Sequence, residues 1–278
     1  MRLDLYLFEN GYAASRQRAK TLIDAGQVYI DGVQRTKASF PVPEDSDVKV
    51  EIRGEVMPYV GRGGYKMAGM LDGFSVDVCG FVCVDIGAST GGFTDCLLQR
   101  GAGKVFAVDS GSDQLAEVLR CDDRVVVMEQ FNARALDMTH TGGRVDLCVC
   151  DVSFISLTKI FEPVTRVLCD YDAATGRGSF LALIKPQFEA GREAIGKGGI
   201  VRDKKVYLRV LTDVIRSAEE HGLYCVSVLP SPILGGDGNR EFLAHFVHRA
   251  PDAANRALGD RNCLLNIIAM ESSKNACL

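Results

Sequence analysis

The sequence predicts an α/β protein: a mostly parallel sheet with helices on both faces, closed by an antiparallel hairpin and preceded by a small α+β unit. Three observations carry this. A short helix and a hairpin signal precede Lys37; short apolar runs alternate with amphipathic stretches from Phe81 to Lys185; and two last apolar runs face each other across a glycine-rich loop. With 278 residues there is room for one large domain and one small one. Residues 1–60 are expected to form the small unit and linker and 61–249 the large domain, leaving 250–278 as a tail. That tail, with Cys263, Asn266 and Cys277, shows no clear pattern.

The front unit starts with Ser15 as a helix cap, continues through Arg16-Gln17-Arg18-Ala19-Lys20-Thr21-Leu22-Ile23-Asp24, and stops at Gly26, where a left-handed cap belongs. Ala19, Leu22 and Ile23 share one face, and Arg16, Arg18 and Lys20 lie along its rims. Val28-Tyr29-Ile30 alternates like a strand and Asp31-Gly32 is a hairpin turn. Between Arg2 and Lys37 six basic residues (Arg2, Arg16, Arg18, Lys20, Arg35, Lys37) stand against four acidic ones. So small a surplus, taken alone, is an ordinary solvated face. Pro41, Pro43, Pro58 and the acidic Glu44, Asp45 and Asp47 mark the end of the unit, with Arg53 to Gly64 as a linker.

In the large domain the strand candidates are Phe81–Ile86, Lys104–Val108, Val125–Glu129, Val145–Cys150 and Phe180–Lys185, then Leu223–Leu229 and Glu241–Val247. The first ends in Asp85-Ile86-Gly87-Ala88-Ser89-Thr90-Gly91-Gly92-Phe93, a glycine-rich turn running into a helix. Such a turn lets a ligand approach the backbone, and the helix start supplies free N–H donors. Asp109 ends the next strand, where a carboxylate can accept from ribose hydroxyls. NAD is the immediate rival occupant. The Gly87-x-x-x-Gly91-Gly92 spacing departs from the dinucleotide fingerprint, however, and Asp85 suits the cationic methionine of S-adenosylmethionine better than a pyrophosphate.

Composition narrows the field. A net charge of −4 means that any nucleic-acid contact must come from local basic patches. The N-terminus has no secretory pattern and no apolar run approaches the roughly 20 residues of a membrane span, so a cytoplasmic address is expected. Ten cysteines without a Cys-x-x-Cys pair, five of them (Cys79, Cys83, Cys148, Cys150, Cys225) at strand-like positions, read as reduced and buried. With four histidines at no ligand spacing, no structural metal is expected.

Four ionisable residues stand at ends of elements where they can converge beyond the sheet: Lys66, Asp151, Lys185 and Glu241. Singly, each reads as a surface charge. Together they resemble the Lys-Asp-Lys-Glu tetrad of FtsJ-type ribose 2′-O-methyltransferases, and the pattern Ser15-Arg16 through Gly32 resembles the RNA-binding domain of ribosomal protein S-four. Gly61 to Lys66, Asp85 to Phe93, Asp151 to Ser156, Lys185 to Glu189 and Gly196 to Gly199 extend the likeness to the TlyA, or hemolysin A, family.

The resemblance implies a Rossmann-like methyltransferase fold with a seven-stranded sheet, S-adenosylmethionine as cofactor, and 2′-O-methylation of cytidine in ribosomal RNA of ribosomal subunits. Lys66, Asp151, Lys185 and Glu241 become the catalytic candidates, and Asp85, Gly87, Ala88, Ser89, Gly91, Gly92, Phe93, Asp109, Asn132 and Asp151 the cofactor-binding ones. Arg62 and Lys197 join Arg2, Arg16, Arg18, Lys20, Arg35 and Lys37 as RNA-facing cations that position a backbone without reading its sequence. Lys185 meets the 2′-hydroxyl either as base or as the cation beside a developing alkoxide. Both roles stay open, because a free lysine titrates near 10.4 and useful bases sit at about 7–8. The basic, glycine-rich stretch Gln187 to Lys205 reads as a loop closing over substrate. Two other readings remain: a membrane-lytic protein, as the hemolysin label suggests, and a non-catalytic ribosome-binding factor.

Overall fold

The structure is a computed structural model that describes residues 1–13, 16–24, 26–43, 48–53, 58–249 and 261–270. Ser15, the acidic Glu44, Asp45 and Asp47, and Cys277 lie outside the described residues. The residues through Pro58 pack as one compact unit and those from Tyr59 as a second.

The first unit contains helices α1 (Leu3–Glu9) and α2 (Arg16–Asp24) and strands β1 (Val28–Ile30), β2 (Val33–Gln34) and β3 (Val50–Ile52). Ala19, Leu22 and Ile23 of α2 are buried together with Leu3 and Leu7 of α1. Asp31 and Gly32 both have positive φ, 51° and 78°, the backbone that a two-residue hairpin turn demands. The linker expected from Arg53 to Gly64 is corrected at both ends. β3 returns past the prolines to pair with β1, and the Arg53 N–H continues that ladder to Gln27 O at 2.7 Å.

At the other end Gly63 begins a helix, α3 (Gly63–Phe74). Its glycines are poor helix formers but permit close packing. A Cβ on Gly64 would lie 2.1 Å from the Tyr59 ring, and one on Gly73 2.6 Å from Leu229.

The second unit continues with β4 (Val82–Ile86), α4 (Gly92–Gln99), β5 (Lys104–Val108), α5 (Glu117–Arg120), β6 (Val125–Met128), α6 (Met138–Thr141), β7 (Leu147–Cys150), α7 (Phe161–Val167), β8 (Ser179–Ile184) and α8 (Pro186–Glu189). It ends with α9 (Lys204–Glu220), β9 (Leu223–Pro230), β10 (Phe242–His248) and α10 (Arg261–Ala269). The seven strands order as β6-β5-β4-β7-β8-β10-β9, and only β10 runs against its neighbours. This is the Rossmann-like methyltransferase fold. The central strands are apolar on both faces because helices cover both. Cys83, Val105, Val149 and Leu183 pack with Met67 and Met70 of α3 and Leu97 of α4, while Val84, Phe106, Cys148 and Phe180 pack with residues of α7 and α9. Chain order reverses between β4 and β7, and ligands of open α/β sheets sit beyond the strand ends at such a point.

Three further expectations need correction. Cys79 is exposed in the turn before β4 rather than in a strand. The stretch Gln187 to Lys205 is not one loop: α8 occupies its start, short 3-10 turns follow at Arg192–Ala194 and Lys197–Gly199, and α9 begins at Lys204. The described part of the C-terminal tail is α10, whose Leu264, Ile267 and Ile268 are buried in the core beside α9. Arg240 holds its end by donating to the carbonyls of Ile268 (2.6 Å), Ile267 (3.2 Å) and Met270, a cation at the negative pole of a helix.

Candidate active site

Each strand reaching the switch point ends where the chain must leave the sheet, and that geometry gathers the site. Asp151 follows β7, Lys185 follows β8, and Glu241 precedes β10, whose reversed direction brings its start beside the end of β8 (Phe242 opposite Ile184). Lys66 arrives on the first turn of α3. Its Nζ lies 2.7 Å from Glu241 Oε2 and 3.7 Å from Asp151 Oδ2. Lys185 Nζ lies 2.5 Å from Asp151 Oδ1, and it donates to Ser153 Oγ at 2.9 Å. Asp151 therefore bridges two cations, and the four groups form one charge-balanced cluster. Lys66, Lys185 and Glu241 are all buried, which only mutual pairing makes tolerable.

Beside the cluster opens a cleft of ≈ 750 Å³, a usual size for a small-molecule site. Of the expected cofactor contacts, Gly87, Ser89, Asp109, Asn132 and Asp151 line it. Gly87 has φ +85°, and a Cβ there would come 2.7 Å from Asp151 O, so only glycine keeps this floor open. Asp109 is held from behind by two backbone donors, the N–H groups of Ser89 and Gly111, each at 2.8 Å. The loop that follows is fixed by Glu129, which accepts from the N–H groups of Asp113, Gln114 and Leu115 and pairs with Arg120. Asn132 is exposed, and its side-chain oxygen accepts from Arg134 N–H.

The remaining expected contacts do not line the cleft. Ala88 is buried in the core, Gly91 is the left-handed start of α4, and Gly92 makes room for Gly61 and Gly64. Phe93 packs in the core beside Gly63. Asp85 is fully buried, with one oxygen taken by the Thr94 N–H and hydroxyl at 3.0 and 2.7 Å. Its other oxygen has no partner, and burial pushes the carboxyl up to about 7.

The RNA-facing candidates differ among themselves. Arg2 and Arg16 are both tied to the buried Asp4, at 2.9 and 3.0 Å. Arg35 stacks over Phe40 with its guanidinium carbon 4.1 Å from the ring centre; Arg18 is half-buried; Lys20 and Lys37 are exposed. Arg62 is exposed at the start of α3 and donates to Leu234 O at 3.3 Å. The side chain of Lys197 lies outside what the structure describes.

Two residues of the site had no individual role in the sequence. Phe154 lines the cleft 92% exposed, in left-handed backbone (φ 65°), its ring 5.2 Å from that of Phe188. Its aromatic face is left open to the cleft rather than packed in the core. Glu189, on α8, accepts from Ser156 Oγ (2.6 Å) and Leu157 N–H (2.7 Å), clamping the segment after β7 to the one after β8.

Sheet order and switch-point cleft together define a methyltransferase-type α/β domain. The FtsJ-like methyltransferase family matches residues 59–247, and the S4 domain matches residues 1–48. A 16S/23S rRNA (cytidine-2′-O)-methyltransferase TlyA of Mycobacterium tuberculosis is 43% identical over 241 residues, 87% of each chain. Hemolysin A of Brachyspira hyodysenteriae is 40% identical over 248 residues, 89% of this chain and all of its own. A solved Streptococcus thermophilus chain, described as a candidate hemolysin, superposes with a TM-score of 0.73 at 38% identity over 97% of this chain and 94% of its own. The chain belongs to the TlyA (hemolysin A) family of FtsJ-like methyltransferases, with an S4 domain at its front. Among the described residues no helix is long and apolar enough to cross a membrane.

Proposed function

We propose that the protein is an S-adenosylmethionine-dependent 2′-O-methyltransferase acting on cytidine ribose in ribosomal RNA, in the cytoplasm, with the front unit, about residues 1–60, docking the RNA. One observation carries this: two buried lysines and two carboxylates close on each other beside a nucleoside-sized cleft that Asp151 lines. The residues present suit the cofactor. Asp109 offers acceptors to ribose hydroxyls, Gly87 leaves backbone room, and the unpartnered Asp85 oxygen lies under the turn where a cation is expected. Bound there, S-adenosylmethionine would supply an electrophilic sulfonium methyl.

The protein's own part is mostly placement, which can lower such a barrier by roughly 7–11 kcal/mol. Lys185, held by Asp151, directs an N–H to the 2′-oxygen and stabilises the negative charge that grows on it as the hydroxyl proton passes to water from the cleft. Lys66 neutralises Glu241 and the far oxygen of Asp151, so the second carboxylate does not repel that charge. Phe154 offers its exposed face to the base of the target nucleotide, and Lys20, Lys37 and Arg62 meet phosphates.

The test is transfer of a tritiated methyl group to isolated ribosomal subunits. The wild-type chain is expected to label RNA at a cytidine 2′-oxygen. Lys185→Ala should lose roughly a hundred- to a thousandfold in turnover, in the range of single electrostatic contacts, while calorimetry shows cofactor affinity unchanged. Retained turnover in that variant defeats the assignment of Lys185.

A further inference from the structure

We propose that Ser153 is a positioning residue for Lys185, its hydroxyl fixing the ammonium so that one N–H stays aimed into the cleft. This role builds on Lys185 meeting the ribose oxygen, as proposed above, and adds a neutral fifth group to the charged four.

An ammonium carries three N–H donors around one rotatable bond. Around Lys185 Nζ, Ser153 Oγ accepts one N–H at 2.9 Å, while Asp151 Oδ1, 2.5 Å away, is an ion-pair contact without hydrogen-bond geometry. The hydrogen bond to Ser153 sets the turn about Cε–Nζ, and the other two donors then have fixed headings. With Asp151 alone, charge holds the ammonium in place but sets no N–H heading. Lys66 needs no such help, because its Nζ lies between two carboxylates and is fixed by charge.

The placement of Ser153 is itself enforced. It lines the cleft and is exposed, whereas Lys185 is buried, so the hydroxyl stands where the sequestered cation meets the open cleft. The next residue, Phe154, is held in left-handed backbone. Ser156 and Leu157, just beyond, are pinned by Glu189, which sits on α8 directly after Lys185. One carboxylate thereby ties the segment carrying Ser153 to the segment carrying Lys185. Glu189 is itself mostly enclosed, and burial raises its carboxyl above the usual range.

The full chain, Ser153→Ala and Ser153→Thr are compared in two measurements. The first uses protein alone: exchange of the Lys185 ammonium protons with water, followed by ¹⁵N NMR and assigned by the signal lost in Lys185→Arg. Exchange is expected to rise roughly tenfold in Ser153→Ala, as loss of a hydrogen bond to a charged group allows, and to return near wild type in Ser153→Thr. The second is methyl transfer to ribosomal subunits. Turnover is expected to fall by roughly ten- to a hundredfold in Ser153→Ala, with KM for RNA and the melting temperature unchanged, and Ser153→Thr should restore it.

Equal exchange in wild type and Ser153→Ala overturns the proposal. So does a loss of turnover that threonine fails to restore and that comes with a lower melting temperature, for Ser153 is then a packing residue. A wild-type chain that labels no RNA sinks the functional reading instead, and the exchange measurement still decides whether Ser153 anchors Lys185.

Discussion

Each compact unit holds a cluster of charge, and the two are built inside out relative to each other. In the first, the carboxylate is buried and the cations are wet: Asp4 is 5% exposed, while the Arg2 and Arg16 side chains keep 55% and 53% of their surface. In the second, the cations are inside, with the Lys66 and Lys185 side chains 10% and 9% exposed. The first cluster staples α2 to the start of α1 and leaves one positive charge over, facing solvent where a phosphate can use it. The second is neutral and offers no attraction at a distance. What it holds is direction: N–H groups in a dry setting, where each counts for more than in water.

This contrast can be broken by experiment, most severely at Lys66. Lys66→Ala strands the Glu241 carboxylate in a buried site and should cost roughly 3–5 kcal/mol in urea unfolding. Pairing Lys66→Met with Glu241→Gln should recover most of that loss while methyl transfer stays absent. A single variant as stable as wild type would show that the cluster is wetter than its burial implies.

Acid titration sharpens the comparison next, because the two units should respond with opposite sign. The hydrogen bond from Arg2, reinforced by Arg16, holds Asp4 down to about 2. Its contribution is complete above the unfolded value near 3.8 and disappears as pH falls through about 2, so Asp4→Asn should flatten the acid limb of stability. Burial instead pushes Asp85 up to about 7. Its ionised form opposes folding, so stability is greatest below 3.8 and declines as pH rises toward 7. Asp85→Asn should therefore be more stable than wild type at pH 8 and equal to it near pH 4, followed by thermal melts across that range.

The smallest effect is expected at Lys37, exposed and free of any recorded ion pair among the described residues. Lys37→Ala should weaken RNA binding only a few-fold and lower the log–log salt slope by about 1. An effect confined to one RNA sequence would contradict a backbone contact.

Much of this was legible before any coordinates. The seven apolar runs, the turn at Asp31-Gly32, the left-handed Gly26 and the convergence of Lys66, Asp151, Lys185 and Glu241 all follow from local pattern and strand-end logic. Other features depend on partners distant in the chain. The start of α3 looks like a linker because Gly63 and Gly64 oppose a helix, and only their packing against Phe93 and Tyr59 explains them. Phe154 is invisible as a surface group because a lone aromatic in a sequence reads as core. In the glycine-rich turn, packing against Leu115 and Leu119 at Gly91 and against Gly61 and Gly64 at Gly92 is visible only in three dimensions. α10 left no signal because its stop is supplied by Arg240, a residue outside the helix.

One further consequence comes from β10. The last strand in chain order among the described residues is not an edge strand; it slots between β8 and β9, both earlier in the chain, and carries with it the counter-ion of a lysine 175 positions earlier. Until that insertion is complete, Lys66 lacks its nearest anion. The four-charge cluster therefore cannot assemble before β10 has paired with β8.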